Sequence, residues 1–344
     1  MTIKLSELLS CCIDCAEQGS RIIQQVHQSH KLKVRQKSSA DDLVTIADTE
    51  CEKRIIGLIH SVWPDLNIVG EENSNLRTTF TSDRPRLDLI KQDLPIFQLS
   101  EVTLFVDPLD ATGDFVKGFL DPVMILIGIA VNERPYAGIA SYVFKHDNEQ
   151  ENGPLIWGAV GLGIFGSDRK DSPIEELSIK KTIDNSVEKL SEQENKKCRV
   201  IHSWSVKKYG ITDMLEFFAP YESIPSSGMG NKIIEVVNGN ADVLLAPEMH
   251  PSCRWDICAP EALLLASGGV LTDINGGVYK YTRDRKQVIN DRGLLAYYPS
   301  TAQHFVDRFF SRRSEVGIKD AKIDEKDIKD GKSGQIDGKE KKDV

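Results

Sequence analysis

Two apolar periods alternate along the chain. Between residues 4 and 28, Leu5, Leu8, Leu9, Cys12, Cys15, Ala16, Ile22 and Ile23 recur at helical spacing, which predicts an amphipathic helix opened by Ser6-Glu7. A second helical stripe carries Ala47, Cys51, Ile55, Leu58, Ile59 and Val62, and Pro64 ends it. Strand-type runs follow at 67–69, 102–105, 122–131, 136–144, 155–160 and 163–166. The second half restarts with a strand at 199–202, then a helix near 212–218, a helical run at 233–238 and a strand at 241–246. A helix through 262–266 closes at Gly268-Gly269, and late strands are expected at 270–274, 278–281 and 293–297. Residues 74–101 read as a surface insertion with a short helix near 87–91. Residues 167–197 are charged and expected to be loose. Residues 311–344 alternate Lys and Asp with Gly, which predicts a disordered charged tail. No internal repeat is evident. The mixture predicts an α/β (α+β) fold, with one unit over 1–166 and a second over 167–310.

Composition narrows the class. The 344 residues are 40% hydrophobic and 28% charged, as in a globular protein. A formal net charge of −9 argues against a nucleic-acid-binding surface and admits small anionic substrates only beside local cations. No run of 18 apolar residues predicts a membrane span, and the first residues lack the pattern of a secretory signal. Seven cysteines at scattered spacings suggest free thiols and a reducing, cytoplasmic location. Cys12 and Cys15 form a CxxC with no second pair, on an apolar helix face; buried thiols are the favoured reading over a redox or zinc site. A monomer is expected.

The chemistry concentrates where strands end. Val106-Asp107-Pro108-Leu109-Asp110-Ala111-Thr112 follows a buried strand, and Pro108 is expected to stop it. Asp107 and Asp110 can then share one small volume. Like charges so placed raise each other's proton affinity unless a cation neutralises them, and oxygen donors suit Mg²⁺. A capped strand-to-helix turn explains the same residues equally well. Gly70-Glu71-Glu72 repeats the pattern, with Gly70 allowing close backbone approach. Asp48 falls near the start of the second helix, where a carboxylate is favoured anyway. Gly228-Met229-Gly230-Asn231-Lys232 opens a helix and could cradle a phosphate on backbone N–H groups, although a plain helix entry fits as well.

Together, Gly70-Glu71-Glu72, the 107–112 run, the 228–232 run and Trp255-Asp256 resemble the lithium-sensitive, Mg²⁺-dependent phosphomonoesterases of the inositol monophosphatase superfamily. Within it the chain looks most like the 3′(2′),5′-bisphosphate nucleotidases, over about residues 5–300. Ile156-Trp157-Gly158, Gly228–Ile234 and Trp255-Asp256 with Cys258-Ala259-Pro260-Glu261 carry that closer likeness. The resemblance implies a five-layer α-β-α-β-α sandwich and two to three Mg²⁺ ions. Glu71, Asp107, Asp110, Asp256 and the Leu109 carbonyl match metal ligands. Asp48 and Thr112 match the pair that orients and deprotonates the attacking water. Gly228 and Lys232 match groups near the ribose and 5′-phosphate. Two residues depart from the family pattern. Ala111 replaces a usual Gly, and its methyl is tolerable only if φ stays negative. Trp204, in His202-Ser203-Trp204-Ser205, replaces a His, which leaves Ser203 and Ser205 as base contacts. Trp204 itself reads either as a stacking surface for adenine or as a core residue behind a strand end.

The implied activity is hydrolysis of the 3′-phosphate of adenosine 3′,5′-bisphosphate to AMP, by water and without a phosphoenzyme. The 3′-phospho-adenylyl sulfate is a plausible second substrate. An inositol phosphate phosphatase and an inactive nucleotide sensor are the rival readings.

Overall fold

The computed structural model describes residues 1–37, 42–72, 83–144, 152–167, 197–205, 210–248 and 252–315. Strand β1 (Thr2–Lys4) leads into α1 (Leu5–Ser29), then β2 (Arg35–Gln36), β3 (Leu43–Val44) and α2 (Ile46–Val62). Next come β4 (Asn67–Gly70), β5 (Ile96–Gln98), β6 (Val102–Asp110) and α3 (Thr112–Lys117). Strands β7 (Met124–Val131), β8 (Arg134–Tyr142), β9 (Leu155–Ala159) and β10 (Gly163–Ser167) complete the first half. The second half runs β11 (Cys198–Ser203), α4 (Ile211–Leu215), β12 (Tyr221–Ser226), α5 (Met229–Val237) and β13 (Val243–Ala246). It ends with α6 (Arg254–Ala266), β14 (Val270–Thr272), β15 (Leu294–Tyr297) and α7 (Pro299–Glu315).

Two sheets organise these elements. A six-stranded sheet has the order β10-β9-β8-β7-β6-β4, and a five-stranded sheet has the order β12-β11-β13-β15-β14. Alternate residues of each strand face opposite cores. Leu104, Val106, Ile125 and Ile127 pack with α1 and α2 in one core. Phe105, Met124 and Leu126 meet α5 and α6 in a second, together with Ile201, Leu244 and Leu294 of the other sheet. Val200, Val243 and Leu295 pack against Ile211 and Phe305 in a third core, beneath α4 and α7. The layers are therefore α-β-α-β-α.

The central helix layer approaches the first sheet closely. Gly128 and Gly138 are paired across β7 and β8. A Cβ at Gly128 would stand 2.5 Å from Cys258 Sγ, and one at Gly138 would stand 2.3 Å from the Ala259 carbonyl oxygen. These two glycines let α6 settle on the sheet, which brings Asp256 in its first turn towards the end of β6.

Several local expectations change. Strand β6 does not stop at Pro108 but runs to Asp110, with its pairing to β7 shifted between Asp107 and Asp110. A bulge tolerates a proline because no ladder hydrogen bond is needed there. Residues 87–91 are not helical, and 278–281 form no strand. Instead Tyr279 donates its hydroxyl to the Gly293 carbonyl at 2.8 Å, and Tyr281 donates to Glu261. Residues 311–315 belong to α7 rather than to a disordered tail. Arg313 is buried there and donates to the Ile274 carbonyl and, at 3.1 Å, to Asn275 Oδ1. The rest of the expected tail, residues 74–82 of the expected insertion and nearly all of 167–197 lie outside the described residues. Among the described residues no helix is long and apolar enough to cross a membrane.

Candidate active site

The N-terminus of α2 builds one wall of the site. Thr45 caps the helix, and its N–H and hydroxyl both donate to Asp48 Oδ2, at 2.7 and 2.6 Å. This reciprocal capping box fixes the Asp48 carboxylate in a buried position. Its other oxygen, Oδ1, lies 3.0 Å from Thr112 Oγ1. Thr112 Oγ1 also lies 2.9 Å from the Leu109 carbonyl, and its single proton serves one of the two. Burial raises the Asp48 pKa, while the bonds from Thr45 and Thr112 oppose that rise.

Four more acids converge beside this pair. Burial, then repulsion from Glu71, Asp110 and Asp256, pushes Asp107 well above the usual carboxylate range. Asp256 is pushed up by burial and by Asp110 and Glu71. Glu71 is raised by burial, with Lys37 opposing. Asp256 also closes a capping box, accepting the Cys253 N–H at 2.8 Å. The acids thus perturb one another although they come from distant segments, as the groups of a functional site do and isolated caps do not.

Asp110 answers the question left by the glycine turn. Its Oδ2 accepts the Gly230 N–H at 2.7 Å, and Oδ1 accepts the Ala111 N–H at 2.9 Å and the Met229 N–H at 3.3 Å. The N–H groups expected to cradle a phosphate thus hold a carboxylate of the protein. The glycines permit this approach: a Cβ on Gly228 (φ 69°) or on Gly230 would stand 3.0 Å from Asp110 Oδ2. At Gly70 the close neighbour is Glu52, whose Oε1 would lie 2.1 Å from an added Cβ. Ala111 contradicts the expected negative φ. It adopts φ 69°, ψ 38°, because the chain must reverse between β6 and α3. The left-handed region costs an alanine ~1–2 kcal/mol.

Three residues at this site escaped the sequence reading. Lys37, which starts the connection between β2 and β3, reaches Glu71 Oε1 at 2.7 Å and also bonds Glu72. Burial lowers its pKa, but the two glutamates outweigh that and raise it. Glu52 is buried in α2 and accepts the Glu72 N–H at 2.9 Å. A charge on the apolar face of the α2 stripe was the readable signal for it. Arg285 donates to the carbonyls of Gly70 and, at 3.2 Å, Glu71, with no motif to announce it.

Lys232 is buried, and burial lowers its pKa to about 8 against the raising influence of Asp110, Asp256 and Asp114. Ser203 pairs with Ser226 across β11 and β12. Ser226 Oγ in turn accepts from Asn231 Nδ2 at 3.2 Å, one residue before Lys232. Ser205 is exposed just past the strand. Trp204 is 65% exposed, so the core reading of this residue is wrong.

The donor set of Glu71, Asp107, Asp110, Asp256 and the Leu109 carbonyl is all oxygen, as a hard divalent ion requires. Among the described residues no three acidic, His or Cys side chains stand as a ready-made ion cage. Lys37 pairs with Glu71, while burial and mutual repulsion raise the proton affinity of Asp107 and Asp256, a charge that a bound cation would neutralise. The residues fit Mg²⁺ in type and charge.

The profile of the inositol monophosphatase family matches residues 4–307. The chain belongs to this family. It is 30% identical over 323 residues to 3′(2′),5′-bisphosphate nucleotidase 1 of Dictyostelium discoideum, covering 89% of this chain and 97% of that protein. The Homo sapiens protein of the same name is 31% identical, covering 85% of this chain and 91% of its own length. Inositol monophosphatase 3 of Danio rerio is 27% identical, with 86% and 81% covered. Among solved structures, the extragenic suppressor protein suhB of Bartonella henselae superposes with a TM-score of 0.59 at 17% identity, covering 88% of this chain and 98% of that one. Inositol monophosphatase-II of Staphylococcus aureus gives 0.58 at 17% identity, with 90% and 95% covered. These likenesses agree with the five-layer architecture of the family.

Proposed function

We propose that the chain is a Mg²⁺-dependent phosphatase that removes the 3′-phosphate of adenosine 3′,5′-bisphosphate, leaving AMP and inorganic phosphate. The observation that carries this reading is the Thr112–Asp48 contact beside the buried cluster of Glu71, Asp107, Asp110 and Asp256. Enzymes of the family are generally Mg²⁺-dependent, and relatives bearing the nucleotidase name match over most of the chain. Glu71, Asp107, Asp110, Asp256 and the Leu109 carbonyl would hold the ions. Bound Mg²⁺ supplies charge neutralisation for the phosphate dianion and the leaving alkoxide, and acidifies water.

The protein side chains do the rest. Thr112 Oγ1 accepts a proton from the attacking water as it passes its own to Asp48 Oδ1, so the carboxylate is the base. Thr45 holds Asp48 from the far side and keeps it aimed at Thr112. Lys232 pairs with the second phosphate, beside Gly228. Ser203 and Ser205 flank the nucleoside end, and the exposed face of Trp204 offers adenine a stacking surface worth ~1–3 kcal/mol. An inositol phosphate has no base to use that surface.

Side-by-side kcat/KM values at fixed Mg²⁺ test the reading. Adenosine 3′,5′-bisphosphate should exceed inositol 1,4-bisphosphate, and both should exceed 3′-AMP. Phosphate release should require Mg²⁺ and fall with added Li⁺. An inositol bisphosphate in first place would overturn the substrate assignment, and Mg²⁺-independent release would overturn the mechanism.

A further inference from the structure

Arg285 reaches the acid cluster from the C-terminal half of the chain. It opens a single 3-10 turn, Arg285–Gln287, entered from Asp284, whose carboxylate accepts the Lys286 N–H at 2.9 Å. The guanidinium donates to the carbonyls of Gly70 and Glu71, at the open end of β4, the edge strand of the first sheet. The guanidinium carbon lies 5.4 Å from the ring centroid of Trp255. One planar group thus touches the main chain of Glu71 and the residue immediately before Asp256.

The surrounding contacts are stiff on both sides. The Glu71 N–H donates to the Val106 carbonyl at 3.1 Å, and the Glu72 N–H donates to Glu52 at 2.9 Å. With Arg285 on the carbonyls, the backbone around Glu71 is held through donors and acceptors alike. The segment carrying Arg285 also clasps the start of α6. The Arg254 N–H donates to the Val288 carbonyl at 2.7 Å, and Asn290 Nδ2 donates to the Cys253 carbonyl at 2.9 Å. Arg283, two residues earlier, donates to the Ser100 carbonyl and, at 3.3 Å, to Thr103 Oγ1, away from the acids.

We propose that Arg285 is a positioning residue that fixes Glu71 relative to Asp256 and so sets the affinity of the acid cluster for divalent cations. This rests on the metal reading given above. A lysine is an incomplete substitute: its ammonium can donate to carbonyls, but it lacks the rigid planar fork that reaches the Gly70 and Glu71 carbonyls while standing over the Trp255 ring. Removing a positive charge beside a cation site should by itself tighten cation binding. Loss of a positioning contact should weaken it. The two effects have opposite signs, so the sign decides.

The test is Mn²⁺ binding to the full chain without substrate, followed by the paramagnetic signal of free Mn²⁺. Arg285→Met should raise the Kd roughly 10-fold, the size of effect seen for lost groups that orient metal ligands. Arg285→Lys should fall between that variant and the unaltered protein, and Arg283→Met should leave the Kd within about twofold of it. A Kd for Arg285→Met that is unchanged or tighter, even with a lowered Tm, would overturn the proposal and leave only a structural clasp. If Arg285→Met does not fold, the same criterion applies to Arg285→Lys. Failure of the unaltered protein to bind Mn²⁺ would instead overturn the metal reading, and this proposal with it.

Discussion

Thr112 Oγ1 lies 3.0 Å from Asp48 Oδ1, although 64 residues separate them in the chain. Asp48 is held in place by its own helix cap, and Thr112 by the first turn after β6. In the proposed mechanism the pair is a proton path, and its two halves are fixed independently. Thr112→Ala and Asp48→Asn should each lower kcat by at least ~100-fold, within the usual range for a lost acid–base group. Because the two act as a unit, the double variant should be little worse than either single one. Steady-state kinetics at saturating Mg²⁺ checks this; a multiplicative loss in the double variant would refute a shared path.

The acid cluster links stability to pH and to metal. Burial and repulsion raise Asp107 and Asp256 well above the usual range and raise Glu72 to about 7. A carboxyl with a raised folded pKa binds more protons folded than unfolded. Its stabilisation is complete below the unfolded value near 4 and is lost as pH rises through the folded value. With a chelator present, Tm should therefore fall between about pH 4 and pH 7 through these groups, and Mg²⁺ should restore it most at the upper end. Asp107→Asn should flatten that dependence and cost at least ~100-fold in kcat. A Tm indifferent to Mg²⁺ at pH 7.5 would contradict the assignment of the cluster.

Lys232 should give substrate selection its own pH limb. Burial lowers it from 10.5 to about 8, so its positive charge is lost as pH rises through that value. Above it, kcat/KM for the bisphosphate should fall relative to that for 3′-AMP, by up to tenfold per pH unit. Mg²⁺ held by Asp110 and Asp256, as proposed, would cancel two of the charges that raise this pKa, so the limb should move to lower pH as the metal is loaded. Lys232→Met should abolish the differential limb, and paired pH profiles for the two substrates provide the readout.

Ala111 sits where a glycine would be relaxed. Ala111→Gly removes the left-handed penalty but gives the unfolded chain more freedom. The net effect should be a gain of roughly 0.5–1 kcal/mol, read as a rise of ~2 °C in Tm. A lower Tm would show that the methyl makes a contact of greater value than the strain it causes.

The fold class was legible because burial follows period. The α1 and α2 stripes, β7, β8 and α6 are long enough for apolar spacing to locate them within a few residues. The acids of the site were legible because the motifs at 70–72, 107–112, 228–232 and 255–256 together resemble the family, whereas each acid alone is as well explained by a cap. Shorter or more polar elements were not. Strand β12 reads Tyr-Glu-Ser-Ile-Pro-Ser and lies at the edge of its sheet, so half of its positions face solvent and no apolar run marks it. Helix α7 was missed because Phe305, Val306 and Phe309 are scattered among charges and only the third core makes them a face.

What local composition and spacing determined is the mixture of helices and strands, while the five layers and the roles of the acids followed from the likeness of the motifs to the family. Which group answers each acid was decided only by tertiary structure. Lys37 on Glu71, the N–H groups of Met229 and Gly230 on Asp110, Thr112 beside Asp48, and Arg285 on the Glu71 main chain all join distant segments. No local pattern encodes such pairings, because a hydrogen bond depends on ångström-scale distance and direction, and those exist only once the layers have packed. The left-handed Ala111 and the strand running through Pro108 have the same origin: the β6–β7 bulge and the close approach of α5 override what each residue prefers alone.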